Sequence, residues 1–158
     1  MTKIIGIDPG LSATGIGVVT GNGLTVRSYS YGVIQTSKAA ALPHRLNRIY
    51  TKFREILNSE QPDRMVVEDV FSLTDYPKSG IQLGKVTGIL LLAGHQIGVP
   101  ISEVPVREAK QVLTGNGSAS KEQLEKAIRK KLGLAEPIKP FHASDALGLA
   151  LIGLYRFG

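Results

Sequence analysis

The first twenty residues alternate between tight apolar runs and abrupt breaks. Ile4-Ile5-Gly6-Ile7 ends in Asp8-Pro9-Gly10, and Gly15-Ile16-Gly17-Val18-Val19 follows after a short turn. This pattern predicts two strands of a hairpin, the first closing at Asp8 and the second covering about residues 13–20. Gly21-Asn22-Gly23 marks another hairpin turn, and residues 24–35 carry the Val, Tyr and Ile content of a third antiparallel strand. From Leu42 the period lengthens. Leu42, Leu46, Ile49, Phe53, Ile56 and Leu57 form one helical stripe that ends near Glu60, before Pro62.

Residues 65–71 read as a fourth strand finishing in two acids, residues 72–79 as an exposed loop, and the stretch to about Ile97 as a second helix. Gly80, Gly84 and Gly88 fall at four-residue intervals on that helix. Each interior glycine costs about 1 kcal/mol relative to alanine, so close packing of this stripe on a helix or the sheet is expected to offset them. Residues 99–104 form a fifth strand and residues 106–113 a short helix. Ser120 and Gln123 have the spacing of a capping box, opening a helix that stops at Gly133. The last helix begins near His142, placing Asp145 in its first turn. The fold class is therefore α/β, with a mixed five-stranded sheet, three antiparallel strands then two parallel ones, flanked by helices.

Composition narrows the partners more than the fold. With 158 residues, 42% hydrophobic and 20% charged, one domain spanning residues 1–158 is expected, with a core that needs no staples. The absence of cysteine excludes disulfides, thiolate nucleophiles and Cys-ligated zinc. Neither a signal peptide nor an apolar run long enough for a bilayer is visible, so a cytoplasmic protein without membrane contact is expected. Nineteen Lys and Arg against thirteen Asp and Glu leave a net charge of +6. That excess favours a polyanionic partner, nucleic acid above all. Arg45, Arg48, Lys52 and Arg54 form one basic segment, and Lys121, Lys126, Arg129, Lys130 and Lys131 another. Solvated helix faces are the plainer explanation of each.

Against this background three acids stand in costly places: Asp8 and Glu68 at strand ends, Asp145 at a helix start. Taken singly, each has an ordinary explanation. Asp8 would cap its turn or meet an Arg, Glu68 would pair with a cation, and Asp145 would sit in the field of a helix N-terminus. His142, three residues before Asp145, shares its helix face and would serve as a helix cap or surface histidine. If the first and fourth strands are neighbours, however, Asp8 and Glu68 lie side by side and repel unless a cation joins them. Mg²⁺ suits such oxygen ligands, and two ions about 3.5–4 Å apart form a clamp used in phosphodiester hydrolysis.

An ordered set of motifs completes the reading. Ile5-Gly6-Ile7-Asp8-Pro9-Gly10 with Thr14-Gly15, Leu42-Pro43 with Arg45-Leu46, and Pro62-Asp63 leading to Val67-Glu68 and Val70-Phe71 come first. Leu83-Gly84 with Gly88, Arg107 with Ala109-Lys110-Gln111, Thr114-Gly115-Asn116-Gly117 with Ala119 and Lys121, and Ser144-Asp145-Ala146-Leu147 follow. The set covers nearly the whole chain and resembles the RuvC family of Holliday-junction resolvases, whose fold is RNase H-like. The resemblance implies a homodimeric, metal-dependent endodeoxyribonuclease that resolves four-way DNA junctions in recombination and repair. Paired symmetric nicks would leave 5′-phosphate ends.

The family's four metal-binding and catalytic positions fall on Asp8, Glu68, His142 and Asp145. Many relatives carry Asp where this chain has His142, so Mn²⁺ is expected beside Mg²⁺, and activity is expected to fall as pH drops through roughly 6–7. Phe71 matches an aromatic that stacks on a base near the cut, although a core Phe is its plainer role. Lys110 and Lys121 match basic positions near the scissile phosphate. The glycine-striped helix matches the family's dimer helix, and a RuvA–RuvB branch-migration complex is the partner the resemblance suggests. Two other readings remain open: another RNase H-fold nuclease acting on RNA–DNA hybrids or flaps, and a junction-binding protein whose cleavage is weakened by His142.

Overall fold

The computed structural model describes residues 1–69 and 77–158. Phe71 and most of the loop expected over residues 72–79 therefore lie outside the described residues. Five strands, β1 (Thr2–Asp8), β2 (Ala13–Asn22), β3 (Thr25–Gln35), β4 (Arg64–Glu68) and β5 (Ile101–Val104), form one sheet in the order β3-β2-β1-β4-β5. β1–β2 and β2–β3 are antiparallel and β4–β5 parallel, as the pattern of the chain predicts, and β1–β4, whose adjacency the pattern left open, is parallel as well.

The helices are α1 (Leu42–Glu60), α2 (Pro77–Gln96), α3 (Val106–Thr114), α4 (Lys121–Leu132) and α5 (Phe141–Phe157). α2 begins inside the expected loop, and β5 is two residues shorter than predicted because Pro100 cannot donate to a ladder.

The sheet separates two apolar cores. On one face α5 packs with Ile4, Val19 and Val66 and with α3 and α4, through Ala109, Leu124, Ile128, Leu147 and Leu151. On the other, α1 and α2 cover Ile5, Ile7, Met65 and Val67 with Ile49, Phe53, Leu57, Val86 and Leu90. Alternation along β1 decides which side chain serves which core, since neighbouring strand residues point to opposite faces. α5 is buried over most of its length, from Ala143 to Leu154. A helix apolar on nearly all sides needs cover all round, and β1, β2, α3 and α4 supply it.

Glycines set how deep α5 lies. A Cβ at Gly15 would fall 1.9 Å from the His142 carbonyl oxygen, one at Gly6 2.1 Å from that of Ala146, and one at Gly17 2.6 Å from the Leu147 nitrogen. The α5 backbone thus rests almost directly on β1 and β2. By contrast, added Cβ atoms at Gly84 and Gly88 on α2 meet nothing within 4 Å. The packing partner expected for the glycine stripe is not supplied by the described part of this chain. Among the described residues nothing covers Gly84 or Gly88.

Candidate active site

Asp8 ends β1 and Glu68 ends β4. The two strands are parallel neighbours with Ile7 opposite Val67, so the acids leave adjacent strand ends on the same side of the sheet. The turn after Asp8 is held from within. Thr14, wholly buried, donates from Oγ1 to the Gly10 carbonyl at 2.7 Å. It is held from outside as well. Thr36 Oγ1 donates to the Leu11 carbonyl at 2.6 Å, while Arg45 donates to Thr36 Oγ1 at 2.8 Å and to Ser12 Oγ at 3.2 Å.

These contacts revise the first basic segment. Arg45 latches the turn that carries Asp8, Arg48 donates to the Gln35 carbonyl at 2.7 Å, and Arg54 donates to the Tyr50 hydroxyl at 3.1 Å. Lys52 pairs with Glu55 at 3.5 Å. Arg45, Arg48 and Arg54, which also donates to Gln96 Oε1 at the end of α2, fasten α1 to its surroundings, whereas the Lys52–Glu55 pair stays within the helix; periodicity and charge counting do not reveal these roles. Thr36 and Ser12 were likewise missed by sequence reasoning, and Thr14 was singled out in a motif without a role. The Thr14 signal lay in its place one residue before Gly15, inside the strand.

α5 brings the other two groups. It starts at Phe141, so Asp145 stands beyond the first turn, where the field of a helix N-terminus has largely faded. The helix-dipole explanation of Asp145 loses its footing there. His142 and Asp145 share a face, and the His142 Nδ1–H donates to Asp8 Oδ2 at 2.9 Å. Asp8 and Asp145 are each 6% exposed, and Asp145 Oδ1 is buried with no hydrogen-bond partner among the described residues. Such an orphan carboxylate oxygen is costly unless something not yet bound satisfies it.

The electrostatics follow from the crowding. Burial, then a hydrogen bond with the Asp8 carboxyl and repulsion from Asp8 and Asp145, push Glu68 up to about 9, against a smaller opposing pull from Lys121. Burial and the Asp8 charge push Asp145 up to about 6, with Lys121, Lys110 and His142 opposing. The hydrogen bond to Asp8 raises His142 above its ordinary value, outweighing its partial burial. Lys121, exposed as the first residue of α4, and half-buried Lys110 on α3 therefore stand close enough to act on these acids. The capping box that aims Lys121 is fully formed, with Gln123 N–H donating to Ser120 Oγ at 3.1 Å and Ser120 N–H donating to Gln123 Oε1 at 2.8 Å.

The donor set fits a divalent cation. Hard carboxylate oxygens, one of them unpartnered, and two carboxyls whose ionisation is opposed by burial and mutual repulsion are what such an ion relieves. Among the described residues, no three His, Asp or Glu side chains already close on one point. The His142–Asp8 hydrogen bond explains part of this, since it occupies one of the Asp8 oxygens that an ion would take.

The sheet order with its flanking helices is that of the RNase H-like class of nucleases. Residues 4–153 match the family model described as crossover junction endodeoxyribonuclease RuvC. The RuvC of Chlorobium phaeovibrioides is 38% identical over 98% of this chain and 82% of its own length. That of Carboxydothermus hydrogenoformans is 38% identical over 99% of this chain and 98% of its own length. The solved structure of Thermus thermophilus RuvC in complex with a Holliday junction substrate superposes with a TM-score of 0.89 at 32% identity, covering 99% of this chain and 94% of that one. The chain belongs to the RuvC family of crossover junction endodeoxyribonucleases. That family is one of divalent-metal-dependent nucleases.

Proposed function

We infer that this chain resolves four-way DNA junctions, hydrolysing a phosphodiester at a metal site built on Asp8, Glu68, Asp145 and His142. The observation that carries the residue assignment is the convergence of Asp8 with His142 and the unpartnered Asp145 oxygen at one end of the sheet. A bound divalent cation would stabilise the developing charge on the phosphate and lower the pKa of a bound water. The chain's own part is to hold the ligands. β1 and β4 fix two acids, and α5, seated on Gly6, Gly15 and Gly17, fixes the other pair. Lys110 and Lys121 flank the acids with positive charge, suited to a scissile phosphate. His142 ligates through its imidazole or accepts a proton from water, in either case only when neutral. Mg²⁺ is the expected ion, two per site, with Mn²⁺ accepted. Phe71 is assigned to base stacking by family resemblance alone.

The open glycines of α2, with Ile81 61% and Leu92 49% exposed on the same side, support a two-fold dimer seam along that helix. Two symmetric nicks in a four-way junction need two sites related by such an axis. A RuvA–RuvB complex and a cytoplasmic setting go with the family assignment. No helix among the described residues is long and apolar enough to cross a membrane.

The test is cleavage of a labelled four-way junction beside a linear duplex and an RNA–DNA hybrid, with Mg²⁺, Mn²⁺ or EDTA. Paired, metal-dependent nicks on the junction alone are expected. Cutting of the hybrid would transfer the chain to another RNase H-fold activity, and binding without cutting would make it a junction-binding protein.

A further inference from the structure

Beside the acid cluster lies a second feature that its chemistry does not use. A cavity of about 580 Å³ opens between the first two turns of α4 and the connector that leads into α5. One wall is apolar, formed by Pro137, Ile138, Pro140 and the ring of Phe141, which is 37% exposed at a helix start. The rim carries Lys126 and Lys139, neither of which has an ion-pair partner among the described residues.

Two acids also line the cavity, and one of them is already committed. Glu125, 5% exposed, accepts the Ile138 N–H at 3.0 Å and pairs with Arg129 at 3.0 Å. This buried tie fixes the connector against α4, so the apolar wall is built rather than loose. Glu122 is exposed on the outer edge, one residue from Lys121. The position of the cavity matters most. Phe141 immediately precedes His142, whose Nδ1 is 2.9 Å from Asp8, and consecutive Cα atoms are only about 3.8 Å apart. The cavity therefore begins one residue from His142 on α5 and one residue from Lys121 on α4.

We propose that this cavity is a nucleotide subsite: an unpaired base next to the cut strand position stacks on Phe141 while Lys126 and Lys139 meet its flanking phosphates. The proposal rests on the junction-cleavage reading and deepens it. Its size falls within the roughly 300–1,000 Å³ of small-ligand pockets and suits one nucleotide. An accessible aromatic face beside lysines is the arrangement by which proteins hold single-stranded nucleic acid, and stacking tolerates any base.

The experiment uses the full chain and junctions with a single abasic site at each nucleotide flanking the mapped cut, comparing wild type with Phe141→Ala, Phe141→Leu and Phe141→Trp. On the intact junction Phe141→Ala and Phe141→Leu raise KM about tenfold, whereas Phe141→Trp stays near wild type. On one abasic junction wild type loses the same tenfold, and Phe141→Ala loses nothing further. A tenfold penalty for Phe141→Ala that persists at every abasic position would show a structural role and overturn the subsite, as would Phe141→Leu behaving like wild type. Failure of wild type to cut any intact junction would instead sink the underlying function.

Discussion

On the α5 side of the sheet, a methyl group at Gly15 would land 1.9 Å from a backbone oxygen, whereas on α2 methyl groups at Gly84 and Gly88 would meet nothing within 4 Å. Both glycine sets cost chain entropy, yet only the first is used inside the described fold. Glycines of β1 and β2 let a buried helix sink until His142 touches Asp8. Gly84 and Gly88 of α2 meet no neighbour among the described residues, and a second copy laid over them would recover their cost. One face of the molecule carries the acid cluster, and the other leaves these glycines uncovered among the described residues.

The sharpest way to break this contrast is Gly15→Ala. Because the clash is with backbone, α5 must lift, and overpacking of this kind costs about 1–3 kcal/mol or more. Cleavage should fall at least about a hundredfold, since small misplacements of reacting groups carry penalties of that order. Equal activity in Gly15→Ala would show that α5 is not seated on β2 as described.

The acids on the α5 side give a second contrast, in pH and metal. Asp145, raised to about 6 from 3.8, and Glu68, raised to about 9 from 4.5, bind protons more tightly folded than unfolded. His142 is raised as well, so its contribution is intact below its ordinary 6.5 and lost above its folded value. All three make the metal-free protein less stable as pH rises from about 4 towards 9. Mg²⁺ added at pH 8 should therefore raise the melting temperature by roughly 5 °C, and at pH 5 by far less. Asp145→Asn should abolish that difference. A metal response of the same size at both pH values would contradict it.

His142 offers a finer test of the same face. From the sequence, loss of activity is expected as pH falls through roughly 6–7, the ordinary imidazole range. The hydrogen bond to Asp8 raises the group, so the fall should begin above that range. A His142→Asp variant should lose this limb of the pH–rate profile. Superimposable profiles would remove the imidazole from the account.

The smallest effects belong to α2. Gly84→Ala and Gly88→Ala should each stabilise the dilute chain towards urea by up to about 1 kcal/mol, because their methyl groups meet no neighbour. If the stripe is a dimer seam, the same variants should shift sedimentation towards monomer. Unchanged sedimentation would leave these glycines without a role in pairing.

How much of this was legible beforehand depends on distance along the chain. Strand pairs and helix stripes repeat within a few residues, so β1 to β3, α1 and the Ser120–Gln123 cap were readable directly. Asp8 and Glu68 stood out because acids at strand ends are costly, and only their neighbouring strands had to be inferred. The long-range partners were hidden. No spacing rule couples Gly15 to the His142 carbonyl, Arg45 to the Thr36 hydroxyl, or Glu125 to the Ile138 amide. Each depends on how separate elements stack. A glycine repeat on a helix looks the same whether it meets a sheet, a second copy or water.

The most direct measurement of the central claim is cleavage of a four-way junction by Asp8→Asn, with junction affinity measured in parallel. Asp8 receives the His142 hydrogen bond and its charge acts on Glu68 and Asp145, so an amide there removes the negative charge of the proposed shared ligand while keeping the shape. Cleavage is expected to be lost, with junction binding within about twofold of wild type. An Asp8→Asn protein that cuts at the wild-type rate would show that the reacting phosphate is held somewhere else.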